Sequence, residues 1–234
     1  MKERRIIGVC GVAGSGKDTF ADYLCSKKGF CKIALADPMK RAAKEWFDFS
    51  VEQLWGPSEM RNSPDKRYTR RCETCNGAGV FAIAGGVVCS ECGGLGKLYL
   101  SPRKVLQTLG TEFGRKCFPD LWTNLTMRTA HVVLNLNKHY VCDIGAVSGN
   151  FTQSYYTGVV IPDCRFKNEV EAIRANGGYT YRINRSAAGL KGDAALHQSE
   201  KELQSLPSAL FNAEIDNNGT LEEFYTNIDK VLSL

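Results

Sequence analysis

Apolar residues fall along this chain in two patterns, short continuous runs and stripes that recur every three or four positions. The first run, Ile6-Ile7-Gly8-Val9-Cys10, leads straight into Gly11-Val12-Ala13-Gly14-Ser15-Gly16-Lys17-Asp18-Thr19. A run without polar alternation predicts a strand buried on both faces. Phe20 and Leu24, four apart and followed by Gly29, predict a helix over 18–28 with a glycine C-cap. A short strand at 31–36 is expected next. Asp37-Pro38 then supplies an acid and a proline in the order that starts a helix, and Met39, Ala42, Ala43, Trp46 and Phe47 carry helical spacing to about residue 48.

Between 56 and 100 the periodicity stops, and proline, arginine and glycine rise. Ser101-Pro102 restarts a helix with Val105, Leu106, Leu109 and Phe113 on one side and Lys104, Gln107, Thr111 and Arg115 on the polar side. A second helix is expected from Asp120 to about 137, and 138–157 reads as a strand or a loop. Gly158-Val159-Val160-Ile161-Pro162-Asp163 is an apolar strand ending in an acid, with regular pairing expected to stop before Pro162. Asn168-Glu169-Val170-Glu171 starts a helix that Gly177 closes, and 179–183 is a strand. Residues 185–198 are polar and aperiodic, as in a lid loop, and 213–216 is a last strand. Thr220 and Glu223 cap a final helix whose apolar face is Leu221, Phe224, Tyr225, Ile228, Val231 and Leu232. Strands alternating with helices predict an α/β fold of three layers, a parallel sheet with helices on both faces and ligands at the strand C-termini. Lys17, Lys40, Asp163 and Arg185 all follow expected strands.

The break at 56–100 therefore reads as an insertion. The expected division is a core of 1–55 and 101–234, with a lid at about 185–199, and a small inserted module at 56–100. Composition changes this picture little: 43% hydrophobic and 24% charged residues in 234 describe one soluble globule. No apolar run reaches the length of a membrane span, and Met1-Lys2-Glu3-Arg4-Arg5 does not open an apolar leader, so a cytoplasmic protein is expected. A net charge of +5 suits small anionic ligands without requiring nucleic acid. Six of the ten cysteines (Cys10, Cys25, Cys31, Cys117, Cys142 and Cys164) lie among apolar neighbours, as reduced core residues do.

Two stretches carry chemistry. In the first, Gly11, Gly14 and Gly16 permit backbone angles closed to other residues. The N–H groups through Ala13 and Ser15 can then turn toward a polyphosphate, and Lys17 can reach its outer oxygens. The strand, the spacing and the helix start mark a nucleotide cradle of the P-loop NTPase fold. Asp18 stands where a hydroxyl for Mg²⁺ is usual, and Thr19 follows it, so the ion is divided among Asp18, Thr19 and Asp163. Arg165 and Arg185 are candidates to neutralise phosphates during transfer. The second stretch repeats Cys-x-x-Cys-x-Gly-x-Gly, at Cys72, Cys75, Gly77, Gly79 and at Cys89, Cys92, Gly94, Gly96, with thirteen residues between the cysteine pairs. That spacing is a Cys₄ zinc site with no open position, hence structural. The repeats are similar to those of J-domain chaperones, although two are too few to carry that function.

Taken in order, the loop through Thr19, Leu35-Ala36-Asp37-Pro38-Met39-Lys40, Leu106-Gln107-Thr108-Leu109-Gly110-Thr111-Glu112, Ile161-Pro162-Asp163-Cys164-Arg165 and Asn217-Asn218-Gly219-Thr220-Leu221-Glu222-Glu223 resemble the bacteriophage deoxynucleoside monophosphate kinases. The aspartate at 18 is usual in that family. The resemblance omits 56–100. It implies that ATP with Mg²⁺ phosphorylates a deoxynucleoside 5′-monophosphate (dNMP) to the diphosphate. It also implies that Lys40 and Arg165 grip the acceptor's phosphate beside Asp37, and that Gln107, Thr111 and Arg115 face its base or sugar. Asn217, Asn218 and Gly219 would then border the adenine of ATP, and His197 would lie in the lid. Small nucleotides are the expected partners, nucleic acid and membrane are not, and a homodimer is allowed without being required. Two other readings stand beside it. Phosphomevalonate kinases carry the same Ser-Gly-Lys-Asp loop, and the five basic residues between Arg61 and Arg71, with the cysteine module, suit a nucleic-acid-binding ATPase.

Overall fold

The computed structural model describes residues 5–81, 86–136, 138–147, 156–188 and 198–232, with backbone alone at 198–201. It contains two compact units, Met1–Pro38 with Cys117–Leu234, and Met39–Lys116. In chain order, β1 (Arg5–Cys10), α1 (Lys17–Lys28) and β2 (Phe30–Lys32) come first, and α2 (Asp37–Phe47) starts at the unit boundary. The second unit continues with α3 (Val51–Trp55), α4 (Ser58–Asn62), β3 (Asp65–Arg71), β4 (Val80–Phe81), β5 (Val87–Val88), β6 (Lys97–Leu100) and α5 (Pro102–Gln107). A π-helical segment, Thr108–Arg115, ends it. The first unit resumes with α6 (Leu121–Asn135), β7 (His139–Val141), β8 (Gly145–Val147), β9 (Gly158–Cys164), α7 (Lys167–Ala175) and β10 (Tyr179–Asn184). Then come α8 (Gln198–Ser205), β11 (Ala213–Asp216) and α9 (Leu221–Leu232).

The first unit is built on a sheet of order β11-β10-β1-β9-β2, parallel throughout. Both faces are covered, which is why β1 reads as a continuous apolar run. Ile7 and Val9 join Val160, Ile183 and Ile215 against Phe20 and Leu24 of α1 and Phe224 and Ile228 of α9. Ile6 and Cys10 join Val159, Ile161 and Cys164 against Ala130 and Val133 of α6 and Val170 and Ile173 of α7. Gly8 lets α7 approach the sheet closely, since a Cβ there would lie 2.5 Å from Ile173 Cδ1. The expected three-layer α/β architecture is therefore present.

Three local expectations are revised. Pairing of β9 does not stop at Pro162: Gly8 pairs with Ile161 and Cys10 with Cys164, so a bulge takes up the proline and its missing N–H. β2 ends at Lys32 rather than near 36: Ile33 N–H still donates to Val160 O of β9, but the N–H groups of Ala34, Leu35 and Ala36 serve carboxylates. The helix from Pro102 changes to π geometry after Gln107, which alters its phase, and Phe113, expected on the apolar side, is 56% exposed. The Ser101 cap holds as expected, its hydroxyl accepting from Lys104 N–H. Residues 138–147 form the antiparallel pair β7–β8.

The second unit is larger than 56–100 because its core recruits residues on both sides of that stretch. Ala43, Phe49, Leu54 and Val105 are buried there, with Phe47, Trp55, Tyr68 and Leu100 packed on them. Asp65, its side chain 8% exposed, accepts from Gln53 Nε2 at 3.0 Å and from Arg67 Nη2 at 2.8 Å, and Arg67 also reaches Asp48. These bonds stitch β3 to the α2–α3 junction.

Candidate active site

The cradle at the end of β1 has the backbone its glycines predict. Gly11, Gly14 and Gly16 have φ of +154°, +78° and +106°. A Cβ on Gly16 would lie 2.4 Å from Asn217 Nδ2, and one on Gly11 2.8 Å from Ile183 O, so packing as well as backbone angle demands glycine. Lys17 opens α1 and its ammonium donates to Val12 O at 2.7 Å, bridging the loop from within. The Ser15 hydroxyl is fully buried and has no hydrogen-bond partner among the described residues. A buried orphan oxygen inside a ring of left-handed glycines and one lysine suits a polyphosphate, which supplies acceptors for every donor there.

Two further loops close on this cradle. Asn217 donates through Nδ2 to Ser15 O at 2.7 Å, tying the β11–α9 loop to the phosphate loop. After β10, Arg185 Nη1 donates to Gly14 O at 3.4 Å, and Asn218 Oδ1 accepts from Ser186 N–H at 2.8 Å and from its hydroxyl at 2.6 Å. Beside them is an open cavity of about 500 Å³ lined by Gly11, Val12, Asn184, Arg185, Ser186 and Asn218. Its size and mixed polar lining suit part of a nucleotide. Residues 189–197 of the expected lid, His197 among them, lie outside the described residues, and its end, 198–199, opens α8.

The candidate ion ligands differ in their surroundings. Asp18 is exposed and pairs with Lys32 Nζ at 2.9 Å. Thr19 is half-buried on the first turn of α1. Asp163 accepts from Leu35 N–H at 2.8 Å and from Ala36 N–H at 3.0 Å, one on each oxygen. Arg165 is half-buried, and its backbone N–H donates to Glu169 Oε2 at 2.7 Å, the buried acid that also caps α7 through Phe166 N–H. Asp37, expected near the acceptor, is only 2% exposed and accepts from Ala34 N–H and the Tyr140 hydroxyl.

In the second unit, Lys40 sits with its ammonium 5.4 Å from the centre of the Trp55 ring. Gln107, Thr111 and Arg115 are each partly exposed, and the buried Gly110 lets Met39 come close, its sulfur 3.2 Å from where a Cβ would stand. The four cysteines form a cluster with every sulfur within 4.8 Å of the others. Cys72 and Cys89 sulfurs are 3.9 Å apart and those of Cys75 and Cys92 3.7 Å, near the roughly 3.8 Å that tetrahedral bonds of about 2.3 Å require. Gly79 N–H points at Cys75 Sγ and Gly96 N–H at Cys92 Sγ, both at 3.2 Å. Against the effect of burial, that N–H and the neighbouring thiols bring the Cys75 thiol down to about 7. The cluster can hold a metal ion.

A protein of Acanthamoeba polyphaga mimivirus named as a deoxynucleotide monophosphate kinase is 33% identical over 230 residues, 95% of this chain and 93% of the relative. The chain belongs to the deoxynucleotide monophosphate kinase family. The deoxynucleotide monophosphate kinase of enterobacteria phage T4 is 24% identical over 251 residues, 98% of this chain and 99% of that one. No family model matches. Among solved structures, shikimate kinase from Bacteroides thetaiotaomicron is similar at 14% identity and a TM-score of 0.43, over 98% of this chain and 99% of that one; so slight a likeness carries no argument.

For a deoxynucleotide monophosphate kinase, the structure brings Gly11 to Thr19, Arg185, Asn217 and Asn218 around one loop, while Gly219 lines a separate hollow with Asp216 and Thr220. Ser186, Asn184, Tyr140 and Trp55 were not singled out by the sequence. Ser186 sits in an aperiodic, polar stretch and Asn184 ends β10, where nothing but position marks either residue. Tyr140 meets Asp37 across 103 residues, a pairing with no local signal. Four of the five basic residues at 61–71 have polar partners within their own unit. Arg61 donates to Gly56 O, Arg67 to Asp65 and Asp48, and Arg71 to Asn76 O, while Arg70 faces Glu73 at 4.0 Å. No helix among the described residues is long and apolar enough to cross a membrane.

Proposed function

We propose that this kinase transfers the γ-phosphoryl group of ATP to the phosphate of a deoxynucleoside 5′-monophosphate, giving ADP and the diphosphate. The observation that carries the reading is the cradle of Gly11, Gly14, Gly16 and Lys17 at the carboxyl edge of a parallel sheet, in a chain of this family. Phosphoryl transfer asks a protein for alignment and positive charge rather than covalent chemistry. Lys17 and the loop N–H groups hold the β and γ oxygens, and the Ser15 hydroxyl donates to a phosphate oxygen in place of its present lack of a partner. Asn217, Asn218 and Gly219 border the adenine, and Arg185 neutralises charge from the start of the lid. Lys40 and Arg165 grip the acceptor's phosphate, and Gln107, Thr111 and Arg115 meet its base or sugar. The attacking oxygen belongs to a phosphate already ionised at neutral pH, so no general base is required.

Mg²⁺, when bound, would offset the charge on the phosphate oxygens. Thr19 and Asp18, on the first turn of α1, are the residues proposed to hold it, directly or through water. The cysteine cluster is proposed to hold a structural Zn²⁺: four thiolates fill every position, and glycine N–H groups already aim at two of the sulfurs. The proposed setting is the host cytoplasm, with small nucleotides as the partners.

A coupled assay of ADP release over all four dNMPs tests the reading. At least one should stimulate release many-fold. ATP binding with no stimulation by any of the four would overturn it.

A further inference from the structure

The turn between β2 and α2 presents an anion site that the protein fills itself. Three successive N–H groups donate to carboxylate oxygens: Ala34 to Asp37 Oδ2 at 2.9 Å, Leu35 to Asp163 Oδ1 at 2.8 Å, and Ala36 to Asp163 Oδ2 at 3.0 Å. Successive N–H groups turned one way make a concavity that binds anions, as in a phosphate loop. Here the anion is Asp163, brought from the end of β9 just beyond the bulge at Pro162. Asp37 is locked in turn by the Tyr140 hydroxyl at 2.8 Å. A carboxylate with a backbone donor on each oxygen is fixed in orientation, and those bonds are charge-assisted, the strong kind.

We propose that Asp163 is a positioning residue for the turn that starts α2, and that the enzyme's Mg²⁺ does not depend on it. The inference rests on reading Lys40, in the first turn of α2, as a grip on the acceptor's phosphate. The turn sets where α2 begins, so loosening it weakens the acceptor's hold and leaves the metal-nucleotide complex intact. A metal ligand behaves the other way, being silent when no metal is present.

The test uses the full chain and two binding measurements that need no turnover. One is dNMP affinity by calorimetry without added divalent ion. The other is Mn²⁺ binding to the enzyme–ATP complex by electron paramagnetic resonance. Asp163→Asn keeps the size but presents an NH₂ to one of the two N–H groups. It should weaken dNMP binding about tenfold, the effect of one charge-assisted hydrogen bond, and change the Mn²⁺ midpoint by less than about twofold. Tyr140→Phe removes only the hydroxyl on Asp37 and should weaken dNMP binding about threefold in the same direction, the effect of one neutral hydrogen bond. It carries the test if Asp163→Asn fails to fold. Mn²⁺ binding weakened about tenfold in Asp163→Asn, or dNMP binding unchanged in both variants, overturns the proposal. Lys40→Ala separates the two readings. If it leaves dNMP binding unchanged, the assignment of Lys40 fails, and the clamp is judged by the Mn²⁺ midpoint and by hydrogen exchange of the Leu35 and Ala36 amides, which speeds up in Asp163→Asn if the clamp is real.

Discussion

Two glycine-rich stretches in this chain are built from the same backbone vocabulary and held in opposite ways. In the phosphate cradle, left-handed glycines shape an open loop framed by β1, α1 and the Asn217 side chain. In the cysteine module, left-handed glycines pack on one another: a Cβ on Gly79 would lie 2.2 Å from Gly94 O, and one on Gly96 2.2 Å from Gly77 O. Cys72 N–H donates to Gly96 O and Cys89 N–H to Gly79 O, so the two repeats clasp reciprocally. The cradle stands on two apolar layers of a five-stranded sheet, whereas the module's hydrophobic cluster among the described residues is its four buried cysteines, with Phe81 and Leu98 beside them. One is a ligand site shaped by a fold. The other, on the proposed reading, is a fold shaped by its metal.

The largest effect that could break this contrast is loss of the metal. Cys75→Ser should lower bound zinc well below one per chain and strip hydrogen-exchange protection from 72–96, since zinc supplies roughly 10–16 kcal/mol to folds of this kind. ATP affinity should stay within about twofold of wild type, because the cradle's supports lie in the other unit. Protection retained in the zinc-free quadruple cysteine mutant would show that the module has a core of its own. The reverse experiment is next in size. Lys17→Ala should reduce kcat/KM by about 10²–10³-fold, as when a preorganised donor to a developing charge is removed. Zinc content and the protection of β1 should not change. A fall in thermal stability as large as the fall in activity would mean that the bond from Lys17 to Val12 O holds the loop together.

How much of this was legible follows the same division. The strands β1, β9 and β10, the helix α9 with its Thr220–Glu223 cap, and both glycine motifs depend on neighbours within a few residues, and all can be read from spacing. The cysteine cluster was legible for the same reason, since four ligands in two short repeats leave few geometries. The extent of the second unit was not. Asp65 and Arg67 look like surface charges in a polar stretch, and only their bonds to Gln53 and Asp48 show that they stitch distant segments together. Asp163 was legible as an acid at a strand end, yet its partners at Leu35 and Ala36 lie 128 and 127 residues away. The π segment was hidden too, because helical spacing in a sequence does not distinguish an α from a π phase.

The smallest effect separates the two units by acid. Arg67 beside Asp65 holds that carboxyl well below the usual carboxylate range, against the opposing effect of burial. A group whose folded value is depressed stabilises the fold fully above its unfolded value, about pH 4 for an aspartate, and loses that contribution as the pH falls toward the folded value. Wild type should therefore lose stability in the second unit below about pH 4 by a step that Asp65→Asn lacks. At pH 7 the variant should already be weaker by about 1.5–3 kcal/mol, the range for a hydrogen bond to a charged group. Urea unfolding followed at Trp55, which lies in that unit, reads the difference. Release of zinc at low pH acts on both proteins and cancels in the comparison. Asp229 in the first unit is also held down, by the Tyr23 hydroxyl and Lys28, so the sheet has its own acid-sensitive bond. Asp65→Asn should leave that transition where it is. If the substitution shifts both transitions together, the two units unfold as one, and the contrast between a fold-shaped site and a ligand-shaped fold holds only for their local geometry.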